Sequence, residues 1–146
     1  MDAAQALADL TEISSQVHQV AILDRDRTLL AATARDPLRA ERFVAALTPL
    51  LEEAERLARS RGLPELDQLE VSTLEGSIFA VRQDDRLIVA TTRPDPTVGL
   101  VFYDLKHCLG SIDDGAAEAR HEPAANGAGE AAEPAPRRRR KADTSA

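Results

Sequence analysis

The 146-residue chain predicts an α+β fold, an α/β/α sandwich around a five-stranded, mainly antiparallel sheet. Three observations carry this. Two stretches, VAIL (20–23) and LIVA (87–90), are apolar at every position, as strands covered on both faces of a sheet are. Strand-like runs follow one another across short turns, which favours antiparallel neighbours. Helical periodicity flanks these runs on both sides and interrupts them once.

In order, residues 2–14 place Ala3, Ala6, Leu10 and Ile13 at helical spacing. VHQVAILD (17–24) and TLLAAT (28–33) are β-like and flank a turn in Asp24-Arg25-Asp26-Arg27. Asp36-Pro37 opens a long helix, with Asp as the cap and Pro at the first position. The helix runs to Arg61 and stops at Gly62, with Pro64 beyond. Its apolar stripe reads Phe43, Leu47, Leu50, Ala54 and Leu57. Pro49 falls inside that pattern and implies either a kink or a restart capped by Thr48. LEVSTL (69–74), SIFAVRQ (77–83) and RLIVATT (86–92) are three further strands, with turns at Gly76 and Asp84-Asp85. LEVSTL alternates apolar and polar residues, as an edge strand with one wetter face does. A last helix spans about 97–109, with Val101, Leu105, Cys108 and Leu109 on one face and Gly110 as its terminator.

Residues 1–112 thus read as one domain. Residues 113–146 hold no apolar residue larger than Ala or Pro. Such a segment buries too little surface to offset its ordering entropy and reads as a disordered tail. The tail is acidic first and ends in RRRRK (137–141).

Composition excludes several functions. The net charge of −7 argues against general nucleic-acid binding by the whole chain. Four aromatic residues, Phe43, Phe79, Phe102 and Tyr103, offer no stacking platform for bases. The single cysteine, Cys108, gives neither a disulfide nor a metal framework and fits a reducing compartment. With no signal-like start and no membrane-length apolar run, the expected location is the cytoplasm.

Isolated polar groups receive structural readings. Asp24 and Asp26 form a DxD pair without a third ligand, and Asp is a common turn residue. His107 and Cys108 are neighbours on a helix and point in different directions; Cys108 continues the apolar stripe. His18 has no acidic partner in view, and Asp84-Asp85 reads as a hairpin turn only. Glu52–Arg56 and Glu55–Arg59 are spaced as i,i+4 pairs on a solvated helix face. A lone arginine of that face is no evidence for an arginine finger. RRRRK reads as a solubilising run with, at most, weak, salt-sensitive contact to acidic surfaces. No metal, cofactor or catalytic residue is expected, and the chain is not expected to be an enzyme.

The order of elements and the stretch VSTLEGSIFAVRQDDRLIVATTRPDPTVGLVFYDLKHCL together resemble the Roadblock/LC7 family. Gly76 and Gly99 stand where that family has glycines, and VHQVAILDRDRTLLAAT resembles its first hairpin. Gln19 and Arg27 depart from the family's usual glycines, which implies a looser or longer first turn.

The resemblance implies a profilin-like fold with the long second helix on one face of the sheet and the other two helices on the opposite face. It further implies a dimer in which third strands pair and second helices pack. The expected interface residues are Leu69, Val71 and Thr73 with Leu50 and Leu57. The expected partner is a small Ras-like GTPase, met by Glu41, Ala45, Glu52, Arg56 and Arg59 on the helix's outer face. An edge strand without Pro or Lys is itself an invitation to pairing. Two other readings are a small-ligand sensing module, since profilin-like folds are similar to PAS and GAF domains, and a homo-oligomeric structural protein.

Overall fold

The computed structural model describes residues 1–113, and Met1–Ile112 form one compact unit. The expected tail, 113–146, lies outside the described residues save for Asp113. The elements are α1 (Ala3–Ile13), β1 (Val17–Leu23), β2 (Leu29–Ala32), α2 (Pro37–Ser60), β3 (Gln68–Thr73), β4 (Gly76–Gln83), β5 (Arg86–Thr92) and α3 (Val98–Gly110). The five strands form one antiparallel sheet in the order β2-β1-β5-β4-β3. The two wholly apolar stretches lie inside the sheet, in β1 and β5, and β3 is an edge.

Period-two alternation divides each inner strand between two cores. On one face Val20, Ile22, Phe79, Val81, Ile88 and Ala90 pack under α1 and α3. On the other, Ala21, Leu23, Ala80, Leu87 and Val89 pack under Leu47 and Leu51 of α2. Phe79 is fully buried and meets Phe102 of α3 edge to face at 5.0 Å, the arrangement favoured by the ring quadrupoles.

The helix ends follow their sequence signals. Asp2 caps α1 by accepting from the Gln5 N–H, and Asp36 caps α2 by accepting from the Leu38 N–H. Gly62, at φ +70°, ends α2, and the Leu63 N–H closes back on the Ala58 carbonyl. Pro49 sits within one unbroken helix, so the restart does not occur; Thr48 Oγ1 donates to the Val44 carbonyl instead of capping a new helix. Gly110 does not terminate α3. It is the last helical residue, and the cap is Ser111.

The first turn is closed by a hydrogen bond from the Asp24 N–H to the Thr28 carbonyl, with Arg27 in the left-handed conformation at φ +67° that a glycine would otherwise supply, and the β1–β2 register shifts between Ile22 and Leu23. One expectation about local shape is corrected: the core stripe of α2 is rotated from the expected one. Ala40, Leu47, Leu51 and Ala58 are buried, whereas Leu50 is only half-buried and Leu57 is 56% exposed. The apolar arc of α2 is wider than the sheet covers, because small alanines occupy part of the true core face and larger residues lie beside it.

Candidate functional site

The surface around α2 and β3 gathers most of the residues singled out from sequence. Among the described residues β3 pairs only with β4, so its outer edge has free backbone groups. Val71 lies opposite Ile78 and Leu69 opposite Ala80. Leu69 and Ile78 pack at the margin of the α2-side core, which places Leu69, Val71 and Thr73 on the sheet face that carries α2. Leu69 and Val71 are half-buried, and Thr73 is exposed. Phe43, Leu50 and Leu57 recur every seven residues on the flank of α2 and are half-buried, half-buried and exposed. The apolar flank of α2 and the side chains Leu69, Val71 and Thr73 of the unpaired edge strand therefore lie on the same side of the sheet.

Glu41, Ala45, Glu52, Arg56 and Arg59 are all exposed, as their helical spacing away from the core requires. Their ion pairs differ from those expected. Arg56 hydrogen-bonds Glu53, not Glu52, and this bond, reinforced by the charge, holds the Glu53 carboxyl below its ordinary value. Arg59 does not pair with Glu55. Glu55 turns inward and accepts from two distant arginines: Arg27 Nη2 at 2.8 Å and Arg82 Nη2 in a close ion pair. The spacing rule fails here because Glu55 lies toward the sheet margin, where longer-range partners reach it first. Arg82 Nε also donates to the Leu66 carbonyl at 3.1 Å. This Arg27–Glu55–Arg82 triad ties the first hairpin, α2 and β4 together, and no local pattern in the sequence announces it.

The isolated groups fall where packing puts them. Asp24 Oδ1 accepts from the N–H groups of Asp26 and Thr28, a turn-forming role. Among the described residues, no group of three or more His, Cys, Asp or Glu side chains is arranged to hold a metal ion. Asp85 is more than a turn residue: it accepts from Arg25 Nε at 2.9 Å and joins the tips of two hairpins. His18 is exposed, and His107 stacks on Tyr103. Cys108 is buried, its Sγ lies 3.5 Å from the Ala6 carbonyl, and burial with the nearby Asp9 charge pushes the thiol up to about 11. That leaves it a packing group and a poor nucleophile. Among the described residues no helix is long and apolar enough to cross a membrane.

Comparison with known proteins agrees with this architecture. The family model for the Roadblock/LC7 domain matches residues 4–92. A Roadblock/LC7 domain from Streptomyces avermitilis superposes with a TM-score of 0.66 at 13% identity, covering 76% of this chain and 94% of that one. The gliding protein MglB from Thermus thermophilus gives 0.59 at 14% identity, covering 73% and 82%. MglB from Myxococcus xanthus gives 0.56 at 13%, covering 73% and 84%. At such identities the likeness is one of fold. A search among curated proteins finds no match. The family model spans more than half of the chain, from α1 through the whole sheet, and the solved neighbours share its fold: the chain belongs to the Roadblock/LC7 family.

Proposed function

We propose that this chain is a non-enzymatic regulatory or scaffold protein. It homodimerises through β3 and α2, and the paired surface docks a small Ras-like GTPase. The observation that carries this reading is the adjoining pair of unsatisfied features: the open edge of β3 and the apolar flank of α2, with Leu57 56% exposed. Pairing two β3 edges about a two-fold axis would satisfy the backbone groups of both copies, and the same operation buries one flank against the other. The two outer faces of α2, bearing Glu41, Ala45, Glu52, Arg56 and Arg59, would then form one charged platform. Charged faces of this kind favour fast and selective encounter. The GTPase as partner rests on the Roadblock/LC7 kinship and on the fold shared with MglB, a gliding protein. The platform would act by ordering the switch loops of its partner.

The test is light scattering coupled to size exclusion, on the full chain and on Val71→Lys. The wild type should elute as a dimer, and the lysine, placed at the β3 edge, should yield a folded monomer. A monomeric wild type overturns the reading. GTP hydrolysis by a candidate GTPase, measured with and without each variant, then tests docking: the dimer should change the rate and the monomer should not.

A further inference from the structure

At the end of the domain where the β1–β2 and β4–β5 turns meet the last turn of α2, a cavity of about 440 Å³ is lined by Arg25, Arg27, Glu55, Arg59, Glu65 and Arg82, with Leu63 and Leu66 among its apolar wall. Its size lies within the range of small-molecule sites. Four guanidinium groups converge there from three separate elements. Their counter-charges are fewer. Glu55 is shared by Arg27 and Arg82, Glu65 lies 3.7 Å from Arg82 Nε, and Asp85 pairs with Arg25. The lining itself thus holds four positive groups and two negative ones, with Asp85 and Asp26 acting on Arg25 from outside it, within a domain whose residues 1–111 carry 18 Asp or Glu against 12 Lys or Arg.

Donor capacity is also left over. The Arg59 side chain makes no hydrogen bond or ion pair among the described residues. Arg27 engages Glu55 through Nη2, while its Nη1 is buried and has no partner among the described residues. A guanidinium has five donors in a rigid fork. Arg27 is moreover held at φ +67°, a conformation that residues other than Gly, Asn and Asp rarely adopt. That conformation is set by the β1–β2 turn and fixes the point from which the Arg27 side chain leaves the backbone.

We propose that this cavity binds a small oxyanion, a phosphate or carboxylate group, gripped by Arg59 and backed by the positive charge of Arg27 and Arg82. The forked donors of arginine match the paired oxygens of either group, and the part-buried setting strengthens that attraction relative to open solvent. Every lining group belongs to one chain, so the site does not require dimerisation; Arg59 also lies on the proposed docking face, so a bound anion and a docked partner would compete for it.

The test follows thermal unfolding of the full chain in chloride buffer during titration with sodium phosphate, with sodium succinate, or with sodium chloride at matched ionic strength. Three proteins are compared: wild type, Arg59→Gln, and Arg56→Gln as a control whose side chain is bound to Glu53 and lies outside the lining. Arg59 is exposed, so its replacement leaves the core untouched. Phosphate or succinate should raise the wild-type midpoint along a saturating curve, and whichever does so names the group recognised. Arg59→Gln should weaken the apparent Kd at least tenfold, and Arg56→Gln should leave it unchanged. A rise that is equal in all three proteins is the generic effect of an excluded salt and overturns the site. So does an equal rise with chloride, or no saturable rise at all.

Discussion

Replacing Glu55 by Gln keeps the side chain's shape and removes the single charge that holds two arginines together. Glu55 is 19% exposed, Arg27 25% and Arg82 12%, so the triad is neither a surface ion pair nor a dry one. Breaking a fully buried pair costs about 3–5 kcal/mol, because the remaining charge is left without a partner. An exposed pair contributes under about 1 kcal/mol. The partial exposure of Arg27 lets water screen its charge, whereas Arg82 has little such relief. Glutamine still offers one carbonyl acceptor. The expected loss is therefore about 2–3 kcal/mol, a large share of the roughly 5–15 kcal/mol that stabilises a domain. Urea unfolding followed by circular dichroism should show a lower midpoint with an unchanged slope. The melting temperature should fall by about 10 °C, at roughly 4 °C per kcal/mol for a domain of this size. In an Arg27→Gly background the cost of Glu55→Gln should shrink by about half, since one of its two partners is already gone. A loss below about 0.5 kcal/mol, the level of an ordinary surface substitution, would refute the triad as a tie between the hairpin, α2 and β4.

Gly76→Ala should destabilise the domain by about 2–4 kcal/mol in urea unfolding. Its φ is +155°, and an added Cβ would stand 2.3 Å from the Thr92 carbonyl oxygen, so the backbone must move at the seam of β4 and β5. Cys108, with its pKa at about 11, should resist thiol reagents in the folded protein at pH 8, where only about one thiol in a thousand is ionised. Because the thiol ionises near 9 when unfolded and near 11 when folded, its contribution to stability is complete below pH 9. That contribution falls between pH 9 and 11 at up to about 1.4 kcal/mol per unit. Cys108→Ala should flatten that part of the stability profile.

The strands were legible because β1 and β5 are apolar at consecutive positions and lie inside the sheet, and because Gly76 and Asp84-Asp85 mark turns that the structure contains. The start and end of α2 were legible in Asp36-Pro37 and Gly62. Its orientation was not. Periodicity weighs large side chains, and Leu50 and Leu57 drew the expected stripe away from the sheet, which α2 meets partly through Ala40 and Ala58. Likewise Glu55 looked like the local partner of Arg59, whereas its partners are Arg27 and Arg82. Neither arginine lies near it in the chain; only folding brings them together. The arginine-lined cavity was illegible for the same reason, since its charges come from a turn, a helix end and a strand.

The strand order also bears on how the chain reaches its native state. Pairing of β1 with β2, and of β3 with β4 and β5, joins sequence neighbours through short turns. The β1–β5 seam alone joins distant segments, setting Val20 opposite Ala90 and Leu23 opposite Leu87. Hairpins form on the microsecond scale, but that seam must first close a loop containing all of α2, with an entropic cost incurred before any contact compensates it. The sheet is thus two local halves spliced once. The splice, at the centre of both cores, is the one strand pairing whose loop-closure cost is large.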